Sequence, residues 1–330
     1  MYVQKSDVVL VDGYNILLRH YAASPLLNEN GVHVGGAIGM LKAVAKITGA
    51  ANPSHVIVAW EGGGSSRRRK LLPEYKENRR PVRLNRFYGN DELPDTKENL
   101  EYQVALIVHL FMQVPVCQIY VEDCEADDVI GYLAKYRFRD KQVTIVSSDK
   151  DFYQLVNDTT ALFRPTKKTM VKTADVLDEY NIHPRNFCLA KAIVGDGSDN
   201  INGIDRVGFK TLAKRIPAMA SHEQMTIDDI ISFCTAECLS RKHLPKFYSQ
   251  IASGRDLIER NMKLMELDVH MFQPSEIKKT NGIIDGYVPV MNKLELLKIL
   301  QREGILNFDI ASVTQSFMPV ILRHEQAQQL

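Results

Sequence analysis

Residues 122–151 read EDCEADDVIGYLAKYRFRDKQVTIVSSDKD, and the organisation of the chain follows from this stretch. An acidic turn, EADD, precedes apolar residues at three-to-four spacing, which predicts a helix. The apolar run VTIV then predicts a buried strand, and two more acids follow it directly. Acids in a first helical turn have an ordinary explanation, because they stabilise the helix dipole. The second pair needs another explanation, since open α/β sheets bind ligands where parallel strands end.

Two earlier strands also end in an acid. The run VVLV at residues 8–11 precedes Asp12, and VIVAW at residues 56–60 precedes Glu61. Because the carboxyl ends of parallel strands lie at one edge of a sheet, we expect these acids to share a site with Asp149. Three coincident strand ends therefore predict one functional site.

The strand and helix pattern also predicts two domains. Strands and helices alternate up to about residue 184, which predicts an α/β domain of residues 1–184 with a mostly parallel, doubly wound sheet flanked by helices. The remainder predicts an appended helical domain of residues 185–330. An apolar content of 45% and a charged content of 25% are typical of soluble globular proteins. Without a membrane-length apolar run, a signal-peptide pattern or a CxxC pair, we expect a cytoplasmic protein.

A basic segment at residues 62–94 interrupts the alternation. The formal net charge of the chain is only +1, but nine Lys or Arg and two acids fall within residues 67–86. The opening GGGSS predicts a flexible entry. Two interpretations stay open: an ordinary solvated charged surface, or a mobile basic element that holds a phosphodiester close to the acids.

The stretch GDGSDNINGIDRVGFKTLAKRI, residues 195–216, adds Asp196 and Asp199 in a glycine-punctuated turn. The segment from Gly203 to Gly208, followed by Lys210, predicts a tight hairpin between helices. Backbone N–H groups at such a turn bind phosphate without reading a base. The alternative is an ordinary capped helix-turn-helix.

Nine carboxylates are therefore candidate metal ligands. If they converge, their mutual repulsion requires bound cations. Oxygen ligands without His or Cys favour Mg²⁺ or Mn²⁺ over zinc. Two such ions can activate a water and stabilise the leaving oxygen of a phosphodiester, as in nucleases. Together with the basic segment and the hairpin, this predicts a nucleic-acid substrate. The nine are Asp12, Glu61, Glu125, Asp127, Asp128, Asp149, Asp151, Asp196 and Asp199.

The motifs VDGYNILLR, LPEYKENR, EADD, SSDKDFYQL and GDGSDN…GIDRVGFKT resemble, in order and spacing, those of the 5′ nuclease superfamily. This superfamily includes bacteriophage 5′ to 3′ exonucleases and RNase H-type enzymes, flap endonucleases and the N-terminal nuclease domain of bacterial DNA polymerase I. The resemblance covers about residues 8–310. It implies a PIN-like fold with a helix-hairpin-helix-type motif. It also implies a monomeric, stand-alone phage or bacterial Mg²⁺-dependent nuclease that cuts 5′ flaps and junctions and removes RNA primers during replication.

The resemblance divides the candidate ligands into two groups. Those of the first metal cluster are Asp12, Glu61, Glu125, Asp127, Asp149 and Asp151. Those of the second metal or its outer shell are Asp128, Asp196 and Asp199.

The resemblance also implies contacts with nucleic acid. At the foot of a helical arch, Lys76 and Arg79 would contact the scissile phosphate and act in catalysis with Asp149, while Tyr75 would stack on a base. The helix that begins near Gly36 would wedge the duplex ends apart. Further nucleic-acid contacts in the arch are expected from Arg67, Arg68 and Arg80. A grip on the downstream duplex, with a K⁺ ion, is expected from Gly203, Arg206, Gly208 and Lys210.

Three features depart from the resemblance. Glu61 stands where the family usually has Asp, and Arg206 stands where the hairpin usually has glycine, which predicts a distorted turn; the alternative is that Arg206 itself contacts a phosphate. Residues 309–330 have no counterpart and predict a disordered terminus; the alternative is a segment that docks a replication protein, such as a single-strand-binding protein. Two other functions stay open: a non-catalytic structure-specific DNA-binding homologue, and a phosphohydrolase of small phosphoesters that uses Asp149 and Asp151 as an aspartyl nucleophile pair.

Overall fold

The computed structural model describes residues 3–63, 65–79, 96–240 and 245–328. Residues 80–94 of the predicted basic segment, including Arg80, therefore lie outside the described residues. Within the described ranges, no helix combines the length and the apolar character needed to cross a membrane.

A six-stranded sheet forms the centre of the fold. Five of its strands are parallel and the sixth is antiparallel, in the spatial order β3-β2-β1-β4-β5-β6. The order reverses between β1 and β4, and a sheet of this kind binds ligands at such a switch point. The predicted α/β fold with a mostly parallel sheet is confirmed. The strands are β1 (Val8–Asp12), β2 (His55–Trp60), β3 (Cys117–Tyr120), β4 (Val143–Val146), β5 (Thr160–Arg164) and β6 (Thr169–Val171).

Helices cover both faces of the sheet and predominate in the described residues after β6. Those up to β6 are α1 (Gly13–Ala23), α2 (Gly35–Ala51), α3 (Ser66–Leu71), α4 (Lys97–Phe111) and α5 (Ala126–Tyr132). The later ones are α6 (Thr173–Tyr180), α7 (Pro184–Val194), α8 (Phe209–Arg215), α9 (Ile227–Ser240), α10 (Lys246–Ala252), α11 (Arg255–Met265), α12 (Pro274–Asp285), α13 (Lys293–Arg302) and α14 (Ile310–Gln328). A two-stranded hairpin, β7 (Gly195–Asp196) and β8 (Ile201–Asn202), separates α7 from α8.

The strands are buried on both faces, which explains their continuous apolar runs. Successive side chains of a strand point to opposite faces, so Val9 and Val11 pack with α1, α2 and α4, whereas Val8 and Leu10 pack with α5. All four are at most 1% exposed. This double packing holds the strand ends, and the acids that follow them, at one edge of the molecule.

The chain terminus differs from the prediction. Residues 310–328 form α14, which packs against α2 instead of being disordered. Val313, Phe317 and Val320 recur at three-to-four spacing and are 6%, 0% and 0% exposed. The prediction was wrong because this apolar stripe has a partner surface that only the tertiary fold supplies.

Candidate active site

The acid at the end of β1 is held in a fixed orientation. Asp12 precedes α1 and accepts a hydrogen bond from the backbone N–H of Asn15 at 3.1 Å. Its other oxygen accepts from the hydroxyl of Ser147, just after β4, at 2.9 Å. Burial, with the nearby charge of Asp149, raises the pKa of Asp12 to about 6. A carboxylate in this position is destabilised unless a cation approaches.

The end of β2 is joined to the acidic turn by its backbone. The N–H of Gly62 donates to the carbonyl of Cys124 at 2.9 Å, and the N–H of Asp123 donates to the carbonyl of Gly62 at 2.7 Å. A Cβ at Gly62 would lie 1.7 Å from a backbone carbonyl oxygen, so this approach requires glycine. Burial and the charge of Glu125 raise the pKa of Glu61 to about 7. The longer side chain of Glu61 therefore still lies in the electrostatic field of the acids.

Asp127 and Asp149 complete this first group of acids. Burial raises the pKa of Asp127 well above its usual value, and the charges of Asp12 and Asp149 raise it further. Asp149 also accepts a hydrogen bond from the backbone N–H of Asp151 at 2.9 Å, which orients its carboxylate. The structure thus brings together acids that follow β1, β2 and β4 and one from the first turn of α5.

Glu125, which precedes α5, has a different environment. Burial alone would raise its pKa, but the cations of Arg68 and Lys76 outweigh burial and lower it to about 2. The ammonium of Lys76 lies 2.8 Å from Glu125, and the guanidinium of Arg68 lies 3.4 Å away. The hydroxyl of Ser65 also donates to it. Glu125 is therefore ionised and already surrounded by donors from the chain.

A second group of acids lies beside the first, and it contains Asp151, which was predicted in the first metal cluster. Carboxylate oxygens of Asp151, Asp196 and Asp199 all lie within 4.8 Å of one another. Lys191, on α7, donates to Asp151 and lies 2.6 Å from Asp196, although the lysine is only 8% exposed. Arg79 donates to Asp199 at 2.6 and 3.0 Å. The chain's own cations thus compensate part of the negative charge in this group.

Lys191 was not predicted from the sequence. It stands in the apolar helical run FCLAKAIV, where a single lysine is a signal of a buried ion pair. The carboxylates of Asp151 and Asp196 raise its pKa despite its burial. It is therefore charged at neutral pH, in direct contact with the second group of acids.

The donor set fits a divalent cation that prefers oxygen. The second group offers three carboxylates at bridging distance, and the first offers acids with raised pKa values, which a bound cation would lower again. Carboxylate oxygens are the ligands of Mg²⁺ and Mn²⁺ in proteins. The residues can therefore hold divalent metal, and the assignment of individual ligands stays a prediction.

The turn after α3 places two cations over both groups of acids. Lys76 adopts φ 60°, and its N–H donates to the carbonyl of Asp199 at 3.0 Å. This bond fixes Lys76 beside Glu125 and directs Arg79, whose side chain is 51% exposed, to Asp199. The predicted contact of both residues with a phosphate stays a prediction.

Tyr75 is not placed as predicted. Its ring is 3% exposed and packs with Cys188, Ile201 and Leu264. Its hydroxyl donates to Glu125 at 3.3 Å and to Asp199 at 3.4 Å. The prediction of base stacking is corrected, because neither ring face is accessible; Tyr75 instead fastens the turn to the acids.

Arg68 and Asp128 form a buried ion pair. The guanidinium donates to both carboxylate oxygens of Asp128, at 2.7 and 2.8 Å, and to the carbonyl of Leu264 at 2.7 Å. Arg68 is 3% exposed and Asp128 is 1% exposed. The predicted contact of Arg68 with nucleic acid is corrected, because the pair joins α3 to α5 and α11 in the interior. Asp128 faces Arg68, so a role in the outer shell of a metal stays only a prediction.

Arg67 lies on the outer side of α3. Its guanidinium donates to Glu276, on α12, at 3.0 Å and lies 3.9 Å from Asp123. The residue is therefore engaged by acids of two other elements, and its predicted contact with nucleic acid would require it to exchange these partners.

The hairpin motif contains the other predicted nucleic-acid contacts. Arg206 is exposed and adopts φ 59°, the left-handed conformation that glycine favours. Arg206 therefore holds a glycine-like backbone conformation at a cost of about 1–2 kcal/mol, and the distortion of the turn stays a prediction. Gly203 follows β8, Gly208 precedes α8, and Lys210 is exposed in the first turn of that helix. Their contacts with nucleic acid and the K⁺ site stay predictions.

Comparison with known proteins identifies relatives of the chain. The sequence matches the family described as "5′-3′ exonuclease, N-terminal resolvase-like domain" over residues 7–181. A 5′-3′ exonuclease of Buchnera aphidicola subsp. Schizaphis graminum is 30% identical over 213 residues, which cover 64% of this chain and 69% of the relative. DNA polymerase I of Bacillus subtilis is 32% identical over 235 residues, 69% of this chain. The match covers only 25% of that polymerase, so the chain spans about a quarter of its length.

A solved structure has the same fold. A bacteriophage T5 flap endonuclease, described as a pseudo-enzyme-product complex with DNA and metal ions, superposes with a TM-score of 0.64. The superposition covers 84% of this chain and 98% of the phage protein, at 22% sequence identity. At that identity, the likeness shows the fold alone.

Proposed function

The chain belongs to the 5′-3′ exonuclease family, and on this premise we propose that it is a metal-dependent nuclease that hydrolyses phosphodiesters at 5′ flaps and junctions of DNA. A relative described as a 5′-3′ exonuclease favours a catalytic nuclease over a non-catalytic DNA-binding homologue. The cations Lys76 and Arg79 at the acids favour it over a phosphohydrolase with Asp149 and Asp151 as an aspartyl nucleophile pair. The removal of RNA primers during replication and a cytoplasmic location belong to the same proposal.

One observation carries the proposal: two groups of acids at the carboxyl edge of the sheet lie directly beneath the cations Lys76 and Arg79. Carboxylates alone repel a phosphodiester. Two Mg²⁺ or Mn²⁺ ions bound by these acids would supply Lewis-acid activation of water and stabilisation of the leaving oxygen. A site with carboxylates on one side and the cations Lys76 and Arg79 on the other therefore suits a phosphate better than a neutral substrate.

The chain's own cations have a defined part in this proposal. Lys76 and Arg79 are bonded to Glu125 and Asp199, and both can exchange a carboxylate for a phosphate oxygen. Preorganised donors of this kind lower the free energy of a developing oxyanion without reorganisation at the moment of reaction. We assign Lys76 and Arg79 to the phosphate and Asp149, between the two groups of acids, to the metal.

The appended helices supply the grip on duplex DNA. Arg206 and Lys210 are exposed at the turn that begins α8, where contacts with backbone phosphates position a duplex without reading its sequence. We keep residues 1–184 as the nuclease domain and residues 185–330 as the DNA-binding domain. The K⁺ ion at the hairpin and the docking of a single-strand-binding protein are not part of this proposal.

The experiment is cleavage of a 5′-flap duplex in Mg²⁺ and in EDTA, with a 3′-flap duplex of equal length as the control substrate. We expect Mg²⁺-dependent cutting near the 5′ junction, little cutting of the 3′ flap, and none in EDTA. Asp158→Asn, an exposed acid after the same strand, serves as the matched control for Asp149→Asn. Cutting in EDTA, or equal cutting of both flaps, would contradict the proposal.

A further inference from the structure

A cleft of about 690 Å³ opens beside the second group of acids. Asp149, Asp151 and Asp196 line one side of it, whereas Lys76 and Arg79 are not part of its described lining. Phosphate bound at the acids would therefore lie between the cations of the turn after α3 and this cleft. The cleft adjoins the reacting phosphate but has no assigned role.

Aromatic rings form the opposite wall of the cleft. Tyr180 and Phe209 are half-buried there, with ring centroids 5.1 Å apart in an edge-to-face arrangement. Phe187, 2% exposed, supports Phe209 from the core with a centroid distance of 5.6 Å and an interplanar angle of 11°. The ammonium of Lys150 lies 5.1 Å from the ring of Tyr180. Rigid, partly exposed rings backed by a core residue are the surface on which nucleic-acid bases stack.

A polar atom in the lining also needs a partner. The hydroxyl oxygen of Ser148 is buried and accepts or donates no hydrogen bond within the described parts of the chain. Asn15 fixes its position, because the backbone N–H of Ser148 donates to the Asn15 side chain at 3.0 Å. Buried hydroxyl groups are normally paired, and a rotation of the Ser148 side chain towards the cleft would let this unpaired one meet a polar group of a ligand there.

We infer that this cleft binds the nucleoside that adjoins the phosphate held by the acids. Its base would stack on Tyr180 and Phe209, and a sugar or phosphate oxygen would pair with the hydroxyl of Ser148. The smallest ligand of this class is a nucleoside 5′-monophosphate. The inference rests on the proposed nuclease function, because it places the nucleoside by the phosphate that the acids hold.

Binding of 2-aminopurine deoxynucleoside 5′-monophosphate in Mg²⁺ tests the inference, since stacking quenches its fluorescence. We expect saturable quenching by the full chain. Phe209→Leu should weaken binding about tenfold through lost stacking, and Ser148→Ala should weaken it about threefold through a lost hydrogen bond. Tyr120→Leu is the matched aromatic control, because Tyr120 is 50% exposed and lines a different cleft. It should bind like the unaltered protein.

A second titration separates stacking from phosphate binding. Deoxyribose 5-phosphate, which has no base, should displace the fluorescent nucleotide only weakly from the unaltered protein. Its own affinity should be the same for Phe209→Leu as for the unaltered protein. Thermal unfolding followed by circular dichroism shows whether Phe209→Leu is folded. If it is not, Ser148→Ala decides, since it removes only an unpaired hydroxyl.

The outcomes separate this inference from the nuclease proposal. Unchanged affinity in both Phe209→Leu and Ser148→Ala, or no quenching by a chain that cuts 5′ flaps, would overturn the nucleoside site alone. Quenching with the expected variant pattern, in a chain that cuts no flap in Mg²⁺, would support the site and refute the proposed nuclease.

Discussion

Replacing Arg68 by methionine removes the cation that Asp128, Glu125 and the carbonyl of Leu264 share in the interior. Glu125 keeps Lys76 at 2.8 Å, so its charge stays compensated. Asp128 instead loses two hydrogen bonds of 2.7 and 2.8 Å while it is 1% exposed. The loss of one partner from a buried ion pair destabilises a protein by about 3–5 kcal/mol. We expect a decrease of this size in the free energy of unfolding.

The double variant Arg68→Met/Asp128→Leu tests the physical reason. It replaces the pair by apolar side chains, so no buried charge is left without a partner, and such replacements are often neutral. We therefore expect the double variant to recover at least about 2 kcal/mol relative to Arg68→Met. Arg69→Met is the matched control, because Arg69 is exposed on the same helix and its replacement should change stability by less than about 0.5 kcal/mol.

Urea unfolding in EDTA, followed by circular dichroism, measures these free energies. A loss with Arg68→Met no larger than with Arg69→Met would refute the buried-charge argument. A double variant less stable than Arg68→Met would refute it as well. Titration of Asp128→Asn with Mg²⁺ adds a second readout: unchanged metal affinity agrees with the ion-pair role, whereas a loss of ten times or more would identify Asp128 as a metal ligand.

Three other changes have distinct expected results. Asp149→Asn should abolish single-turnover cleavage of a 5′ flap while equilibrium binding at fixed salt is largely kept; cleavage at the unaltered rate would remove Asp149 from the metal site. Lys76→Ala should slow the chemical step by about 10²- to 10³-fold with a smaller effect on binding, because it removes a preorganised donor rather than the binding surface. An equal loss in the cleavage rate and in the affinity for the substrate would argue for a binding role. In EDTA, the melting temperature should fall between pH 5 and pH 8, because the pKa values of Asp12 and Asp151 are raised to about 6 and that of Glu61 to about 7. Because these pKa values are higher in the native state than in the unfolded chain, the native state binds the additional protons. The stability that these groups contribute is therefore complete below their pKa values in the unfolded chain, near 4, and is lost as the pH rises through 6 to 7. Mg²⁺ should reverse the decrease at pH 8 and have little effect at pH 5; a melting temperature that rises from pH 5 to pH 8 in EDTA would contradict this assignment.

Local patterns along the chain were sufficient to predict the sheet and the edge at which the candidate site lies. Continuous apolar runs such as residues 8–11 are buried on both faces, and parallel strands put the acids that follow them at one edge. The positions of Asp12, Glu61 and Asp149 could therefore be predicted before any contact was known. These are local patterns, and each requires only the residues of one strand and the turn after it.

The pairing of charges in the candidate site depends on contacts between distant segments, which local patterns do not contain. Arg68 meets Asp128 across 60 residues, and Lys191 meets Asp151 across 40, so no local spacing connects them. The burial of Tyr75 and the packing of α14 likewise depend on surfaces contributed by distant segments. A basic run or an apolar stripe has the same local pattern whether it faces solvent or a partner. The free energy that selects between these states comes from desolvation and long-range contacts, which arise only when the chain is folded.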